Sequence, residues 1–536
     1  MMIDSTNQGS QSQKLPENRN SKDSRLENIC KEVLGDQRLI IVSNRGPVTY
    51  EKNKEGKPAA KRGSGGVVTA LISLTDYTPV TWVAAALSEA DREIADSEAQ
   101  EHKSVTPEIA PNLQLRFVSI DEESFDKYLN VISNPLLWFV QHEMDNLLGE
   151  SLERQKIGEA WSNGYVLANQ KFAQAVIEES GKPGAAPYVV FHDYQLYLTP
   201  GVVRQQRPDL TLLHFTHIPW PEPETWRNLP LQFVRSICEG LLACDIVGFQ
   251  TSSAVEAFAH TCQEFLEDLS VEESEKGSYL IRRTREDGGQ ITTVVNAYPI
   301  SVDPDRVRET FQSQAARQWH ERLSKLVQNG EKLIVRVDRV DPNKNIITGF
   351  EAYEKLLKSR PELRGKVNFL ALLVPTRESV PEYAAYKEQT FTLINEINQR
   401  YGNTHWEPVH FIYGNDYGRA LAGLSLADVV LVNSLADGMN LVAKEASVVN
   451  QKNSVLILSQ QAGAWEELSN DALGVDPTDT QATAQTLYQA LEMPAEERAA
   501  RAERLAQTVE ENDLSNWLAG QLLDLQKAHA AKSKYP

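Results

Sequence analysis

Twelve short runs of Val, Ile and Leu punctuate the chain between residues 38 and 459. They are RLIIVSN (38–44), VTWVAAAL (80–87), LQLRFVSI (113–120), YVVFHDY (188–194), LTLLHFTHI (210–218) and DIVGFQT (245–251), followed by TTVVNAYPI (292–300), KLIVRVDR (332–339), VNFLALLVP (367–375), VHFIYG (409–414), DVVLVNS (428–434) and SVLILS (454–459). Each is almost continuously apolar rather than alternating, which predicts parallel strands buried on both faces. Stretches of helical character separate them, such as GFEAYEKLLKS (349–359) and EYAAYKEQTFTLINEINQRY (382–401). Strand alternating with helix predicts an α/β protein of doubly wound sheets. A dozen strands exceed one ordinary sheet, so two domains are expected. The boundary follows Pro299, where YPISVDPDRV leaves a strand and enters a helix, giving domains 36–305 and 306–505. YLIRRTREDGGQITTV (279–294) predicts a hairpin turning at Asp287-Gly288-Gly289. The last fifty residues are rich in Ala, Glu, Leu and Arg and predict helices, with 506–536 as a terminal helical segment.

Composition narrows the function. The 536 residues carry a net charge of −20, the wrong sign for a nucleic-acid binder or a protein held on anionic lipid. No long basic patch offsets it, so a few placed cations must hold any anionic ligand. Four cysteines without a CxxC pair write neither a zinc knuckle nor a redox motif, and a reducing cytoplasm is the expected compartment. No run of about 18 apolar residues predicts a membrane helix. Residues 1–24 are too polar to order, and residues 25–35 predict a short helix.

Candidate chemistry lies where strands end, because ligands of open α/β sheets bind beyond the carboxyl ends of the strands. The first run ends Ser43-Asn44-Arg45, and Gly63-Ser64-Gly65-Gly66 precedes a helix beginning near Val67. Amides of such a loop can approach a phosphate, although a plain flexible loop is the simpler reading and no Walker A lysine follows. His192-Asp193-Tyr194 and His217-Ile218-Pro219 end two successive runs; a capping Asp and a core His are the bland alternatives. Asp303-Pro304-Asp305 reads as a helix cap rather than a metal site. Arg339 and Lys344 follow another strand, where a guanidinium fork and an ammonium point charge can meet a diphosphate; two solvated cations are the alternative. Asp437-Gly438-Met439-Asn440 leads into LVAKEASVV, whose first amides, at Asn440, Leu441 and Val442, suit a phosphate. Glu445 lies one turn on from Leu441. Arg377 follows VNFLALLVP. No metal-ligand cluster and no cofactor are called for.

The motifs SNR (43–45), HDYQL (192–196), HIPWPEPETWRNLP (217–230), RVDRVDPNK (336–344), VPTRESVPEY (374–383), DGMNLVAKE (437–445) and LSQQAGAWEEL (458–468) together resemble the trehalose-6-phosphate synthase family of retaining glucosyltransferases, glycosyltransferase family 20. The resemblance runs from about Arg38 to about Leu525. It implies a GT-B fold, two Rossmann-like doubly wound domains facing across a cleft, with C-terminal helices crossing back to the N-terminal domain. It implies metal-independent transfer of glucose from a nucleotide diphosphate glucose to glucose 6-phosphate, giving α,α-trehalose 6-phosphate. Arg339 and Lys344 would then bind the donor diphosphate, Glu445 the ribose, and the Leu441 and Val442 amides, beside Asn440, the phosphate region. Asp437 and His217 would contact the transferred glucose, and Asp193 the acceptor. Arg45 and Arg377 would clamp the acceptor phosphate in a pocket lined by Trp138 and Trp82. Gly65 and Gly66 would lie on a loop over the donor.

Four positions depart from the family pattern. Leu129 stands where a tyrosine is usual, with Tyr128 beside it; a second tryptophan near Ala86 is missing; Ser301 and Asn345 replace glycines. The donor base, UDP, GDP or ADP, stays open, as does a homo-oligomeric state. A related synthase acting on glycerol 3-phosphate or a cyclitol phosphate is the alternative enzyme. A non-catalytic regulatory subunit that binds sugar phosphates is the alternative of another class.

Overall fold

The structure, a computed structural model, describes residues 21–35, 38–63, 66–101, 104–148, 154–182, 188–274, 277–284, 290–378 and 380–534. Most of the expected tail, Gly65 and the turn at Asp287-Gly288-Gly289 lie outside them. The first described helix, Ser21–Leu34, begins earlier than residue 25, because its first buried apolar residue, Leu26, sits more than one turn inside.

Seventeen strands are formed by the described residues: β1 (Leu39–Ser43), β2 (Val48–Lys52), β3 (Pro58–Arg62), β4 (Val80–Ala85), β5 (Leu113–Val118), β6 (Tyr188–His192), β7 (Thr211–Phe215), β8 (Ile246–Phe249), β9 (Leu269–Glu273), β10 (Tyr279–Thr284), β11 (Gln290–Ala297), β12 (Lys332–Arg339), β13 (Val367–Val374), β14 (Val409–Tyr413), β15 (Val429–Val432), β16 (Val455–Ser459) and β17 (Leu473–Val475). All twelve apolar runs are among them. The sequence pattern missed β2, β3 and β9, which are short and polar, and β17, which is only three residues long. β2 and β3 pair as a separate antiparallel hairpin.

The chain divides into two compact units. Of the described residues, one comprises those within 29–301, 436–441 and 516–536; the other comprises those from 21 to 28 and within 302–435 and 442–515. The first carries a nine-stranded sheet in the order β5-β4-β1-β6-β7-β8-β11-β10-β9. It is parallel from β5 to β11 and closes with the antiparallel pair β10 and β9. The second carries a six-stranded parallel sheet, β14-β13-β12-β15-β16-β17. β1, β4, β6 and β7 are buried along their whole length, as strands covered on both faces must be.

Two boundaries differ from the sequence expectation. Residues 506–511 still belong to helix Ala495–Glu511, whose Leu505 and Val509 are buried, so the terminal segment joins the first unit only at residue 516. The short segment 436–441 groups with the first unit although the sheet around it belongs to the second. Within the first unit the terminal helix, Leu514–Lys534, is anchored by polar contacts. Tyr298 donates its hydroxyl to Asp524 at 2.8 Å, and Lys532 pairs with Asp245 at 2.9 Å. Trp517 packs edge-on against Phe215.

Candidate functional site

In the second unit, β12 carries the charged sequence Arg336-Val337-Asp338-Arg339, and its side chains divide by face. Arg336 points inward with no exposed surface. It pairs with Asp338 at 2.8 Å and donates to the carbonyls of Lys344 (3.0 Å) and Ile346 (3.3 Å). A buried guanidinium is tolerated because carboxylate and carbonyls satisfy it. Helix Ile346–Ser359 passes so close that a Cβ at Gly349 would lie 2.4 Å from Arg336 Nη1. Asp341 caps the turn Pro342–Lys344. Asn345 then takes the left-handed conformation, φ +53°, and its amide donates to the carbonyls of Asn433 (3.0 Å) and Pro477 (2.7 Å). Asparagine tolerates this region better than other non-glycine residues, which accounts for its place where the family pattern has glycine. The Tyr386 hydroxyl accepts the Ile346 amide at 2.6 Å. Arg339, half exposed, and Lys344, partly exposed, are thus carried on a loop whose backbone is tied at several points.

Arg377 follows β13 with φ +44°. Its guanidinium lies 3.6 Å from Asp341, hydrogen-bonds Tyr383 and rests over that ring. Glu445 sits in helix Leu441–Val449. Burial pushes its carboxyl up to about 7, against a hydrogen bond from Tyr417 that favours the charged form. Val442 is partly exposed on the same helix.

The first unit gathers a different set. Ser43 accepts the indole N–H of Trp82 at 2.8 Å and donates to the Arg45 carbonyl at 2.7 Å; Asn44 accepts the Tyr128 hydroxyl at 3.1 Å. Arg45 itself is exposed. Trp82 has no exposed surface, a correction to its expected place on a pocket wall: it lies inside β4 and sets Ser43. Tyr128 is fully buried too, so the tyrosine one place from the usual position supports the SNR turn. It lies in a π-helical stretch, Lys127–Leu137, that leads into Trp138. Trp138 stacks on His142 at 4.2 Å and lies 5.7 Å from Tyr194. Gly66 opens the helix Gly66–Ile72.

Asp193, at the end of β6, has φ +76°, and its carboxylate accepts the Tyr194 and His217 amides at 3.1 and 3.2 Å. His217 has both ring nitrogens engaged. The Ile300 amide donates to Gln250 Oε1 at 2.9 Å, so the Gln250 amide nitrogen faces His217 Nδ1 at 3.3 Å. This assigns the His217 proton to Nε2, which meets His192 Nδ1 at 3.1 Å. Burial holds His217 well below its usual value, with His192 and His214 adding to the effect. Burial also pushes His192 and His214 down to about 3. Burial thus holds the ring neutral, with both of its nitrogens committed. The segment 436–441 lies on the backbone of His217: a Cβ at Gly438 would stand 1.9 Å from the His217 carbonyl oxygen. Asn440, φ +103°, donates to Asp437 at 3.0 Å, and Leu441 is partly exposed beside it.

The expected residues therefore fall into two groups. Asp193, His217, Asp437, Asn440, Leu441, Arg45, Trp138, Trp82 and Gly66 belong to the first unit. Arg339, Lys344, Arg377, Val442 and Glu445 belong to the second. Among the described residues, four of the seven non-glycine positions with positive φ, Asp193, Asn345, Arg377 and Asn440, lie in these loops. Such conformations cost of order 1–3 kcal/mol each and concentrate at functional sites. Sequence reasoning missed Arg336, Asp341, Gln250 and Tyr386. The charged pair inside a buried strand was the one available signal for Arg336. Asp303 caps helix Pro304–Phe311 by accepting the Asp305 and Arg306 amides. Among the described residues no three His, Cys, Asp or Glu side chains are grouped as metal ligands, and no helix is long and apolar enough to cross a membrane.

Residues 37–527 match the sequence profile of glycosyltransferase family 20. The chain is 32% identical over 520 residues to an alpha,alpha-trehalose-phosphate synthase [UDP-forming] A of Dictyostelium discoideum; the match covers 96% of this chain and 66% of that protein. It is thus similar to just under two thirds of that relative, and to 98% of an Aspergillus niger synthase of the same kind at 31% identity. Among solved structures, a Burkholderia xenovorans alpha,alpha-trehalose-phosphate synthase (UDP-forming) in complex with glucose-6-phosphate superposes with a TM-score of 0.76 at 28% identity, over 91% of this chain and 100% of that one.

Proposed function

The chain belongs to glycosyltransferase family 20, and from that premise we propose that it transfers glucose from UDP-glucose to glucose 6-phosphate with retention, forming α,α-trehalose 6-phosphate. The observation that carries this reading is the pair Arg339 and Lys344, held by Arg336, Asn345 and Tyr386 on one loop beyond β12. Two cations fixed on a tied backbone suit a diphosphate leaving group, because preorganised charge stabilises developing negative charge without reorganisation. The relatives' names supply the uridine nucleotide, and the ligand of the Burkholderia structure supplies the acceptor.

In this reading the bond between the anomeric carbon and the diphosphate oxygen breaks, and its electron pair leaves with UDP. Arg339 and Lys344 take up that charge. The acceptor hydroxyl attacks from the same face, and its proton passes to the departing phosphate oxygen. Asp193 orients the acceptor hydroxyl, Asp437 holds glucose hydroxyls, and Glu445 accepts from the ribose. Arg45 and Arg377 hold the acceptor phosphate, and Trp138 lines the sugar. His217, neutral and fixed, sets the backbone on which Asp437 and Gly438 rest.

The test is a matrix of UDP-, GDP- and ADP-glucose against glucose 6-phosphate, glycerol 3-phosphate and free glucose, with products read by mass spectrometry and anomeric configuration by NMR. The highest kcat/KM is expected for UDP-glucose with glucose 6-phosphate. A clear preference for glycerol 3-phosphate would reassign the acceptor. Tight binding of glucose 6-phosphate without turnover on any donor would make the protein a sugar-phosphate-binding subunit.

A further inference from the structure

Asp341 has no exposed surface, yet one of its carboxylate oxygens, Oδ2, accepts no hydrogen bond. Burying such an oxygen is costly unless cations compensate it. Two do. Arg339 Nη2 lies 3.8 Å away and Arg377 Nη1 3.6 Å away. The other carboxylate oxygen, Oδ1, caps the turn before Lys344 by accepting the Asn343 amide at 3.4 Å. The remaining buried charges nearby are committed elsewhere: Arg336 pairs with Asp338. Asp341 is therefore a carboxylate placed between two guanidiniums, Arg339 at the end of β12 and Arg377 just beyond β13.

We propose that Asp341 is a positioning residue, the shared counter-ion that aims Arg339 and Arg377 and sets the net charge they offer to incoming phosphates. The inference rests on the functional reading above only for which phosphate each arginine meets. Both separations exceed hydrogen-bond length, so the guanidiniums are oriented by the carboxylate's field while their N–H groups are not consumed by it. Two cations and one anion present a net +1. A phosphate thus meets arginines already directed but partly neutralised, and binding stops short of trapping the product.

The expected sign is unusual. Asp341→Asn keeps the size of the side chain and an oxygen for the Asn343 amide, but raises the net charge at the arginines from +1 to +2. Inorganic pyrophosphate and UDP should bind about five- to tenfold more tightly by calorimetry, with a steeper salt dependence. In turnover with UDP-glucose and glucose 6-phosphate, kcat should fall at least about tenfold while KM for both substrates falls or holds, because the guanidiniums lose their aim. Asp341→Glu, which restores the charge, should return the pyrophosphate affinity to that of the parent. A residue that only caps the turn would leave anion affinity unchanged in Asp341→Asn, and one that only supports the fold would weaken it; either outcome overturns the proposal.

A second variant covers misfolding of Asp341→Asn. Arg339→Gln alters a half-exposed side chain and leaves Asp341 paired with Arg377 alone, so glucose 6-phosphate should bind several-fold more weakly. Unchanged glucose 6-phosphate affinity would show that the counter-ion is not shared. The pyrophosphate arm separates the two ideas: a parent protein that binds pyrophosphate but transfers no glucose ends the functional reading, while the effect of Asp341→Asn on pyrophosphate still decides the role of Asp341.

Discussion

The loops beyond β12 and β13 and the loops beyond β6 and β7 occupy the same place in their sheets and are built on opposite electrostatic plans. In the second unit, charge is kept: Arg336, Asp338, Asp341, Arg339, Arg377 and Lys344 form an alternation of signs in which buried carboxylates hold cations toward the loop surface. In the first unit, charge is removed: burial keeps His192, His214 and His217 neutral, and Gln250, an amide, closes the chain. On the function proposed above, the difference follows from what each would handle. A diphosphate needs fixed positive charge. A sugar beside the reacting carbon needs directed partners, and a charged imidazolium beside a developing positive anomeric carbon would raise the barrier. Both plans use strained backbone, at Asn345 and Asp193, to aim a side chain.

The comparison breaks most sharply at the cations. Arg339→Ala or Lys344→Ala should each lower kcat/KM by roughly two to three orders of magnitude, the scale seen when one preorganised transition-state donor is removed. The melting temperature of Lys344→Ala should hold within a degree or two, because that side chain reaches solvent while the scaffolding bonds belong to Arg336, Asn345 and Tyr386; that of Arg339→Ala should fall somewhat further, because buried Asp341 keeps only Arg377. A loss of less than tenfold in both variants would mean that the charge of this unit serves the fold and not the leaving group.

A smaller effect separates the units by pH. The histidines titrate far below neutrality, so none should shape activity between pH 5 and 8. Glu445, raised to about 7 by burial, should. Its folded value lies above its unfolded one, so its contribution to stability is present at low pH and fades as pH rises through about 7. On the proposed function donor binding runs the other way, since ribose hydroxyls would donate to the ionised carboxylate. KM for UDP-glucose should rise about tenfold per unit as pH falls below 7, and Glu445→Gln should abolish that limb. The titration of KM between pH 5 and 8 is the measurement. A limb that survives Glu445→Gln would place a titrating group on the histidine side and undo the contrast.

The strands were legible because parallel β-structure buried on both faces must be apolar throughout. The polar hairpin β2–β3 escaped, since nothing in its exposed residues distinguishes strand from loop. Arg339, Lys344 and Asp193 stood out as candidates from their place after apolar runs and from the motifs around them. Asp341, Gln250 and Tyr386 were not. Each acts through a partner distant in sequence or on another element, and a partner's direction is a property of the packed structure. Trp82 was misplaced for the same reason: a tryptophan in a strand suits a pocket wall or a core equally well, and only the register beside Ser43 decides.

The finest test of the contrast lies at Asn345, where the second unit uses an amide to do what glycine does by lacking a side chain. At φ +53° a glycine pays no steric penalty, whereas alanine pays about 1–2 kcal/mol. Asn345 adds hydrogen bonds to Asn433 and Pro477, each worth about 1 kcal/mol net. Asn345→Gly should therefore destabilise the protein by about 2 kcal/mol through lost bonds alone, and Asn345→Ala by about 1–2 kcal/mol more through strain. Because Lys344 precedes this residue directly, kcat/KM should fall in the same order, by only a few-fold for glycine and more for alanine. Calorimetric melting of the two variants beside the parent, with rates at saturating acceptor, gives both rankings. If alanine proves no worse than glycine in either, the loop can relax out of the left-handed turn. The aim of Lys344 would then come from Arg336 and Tyr386, not from the conformation of Asn345.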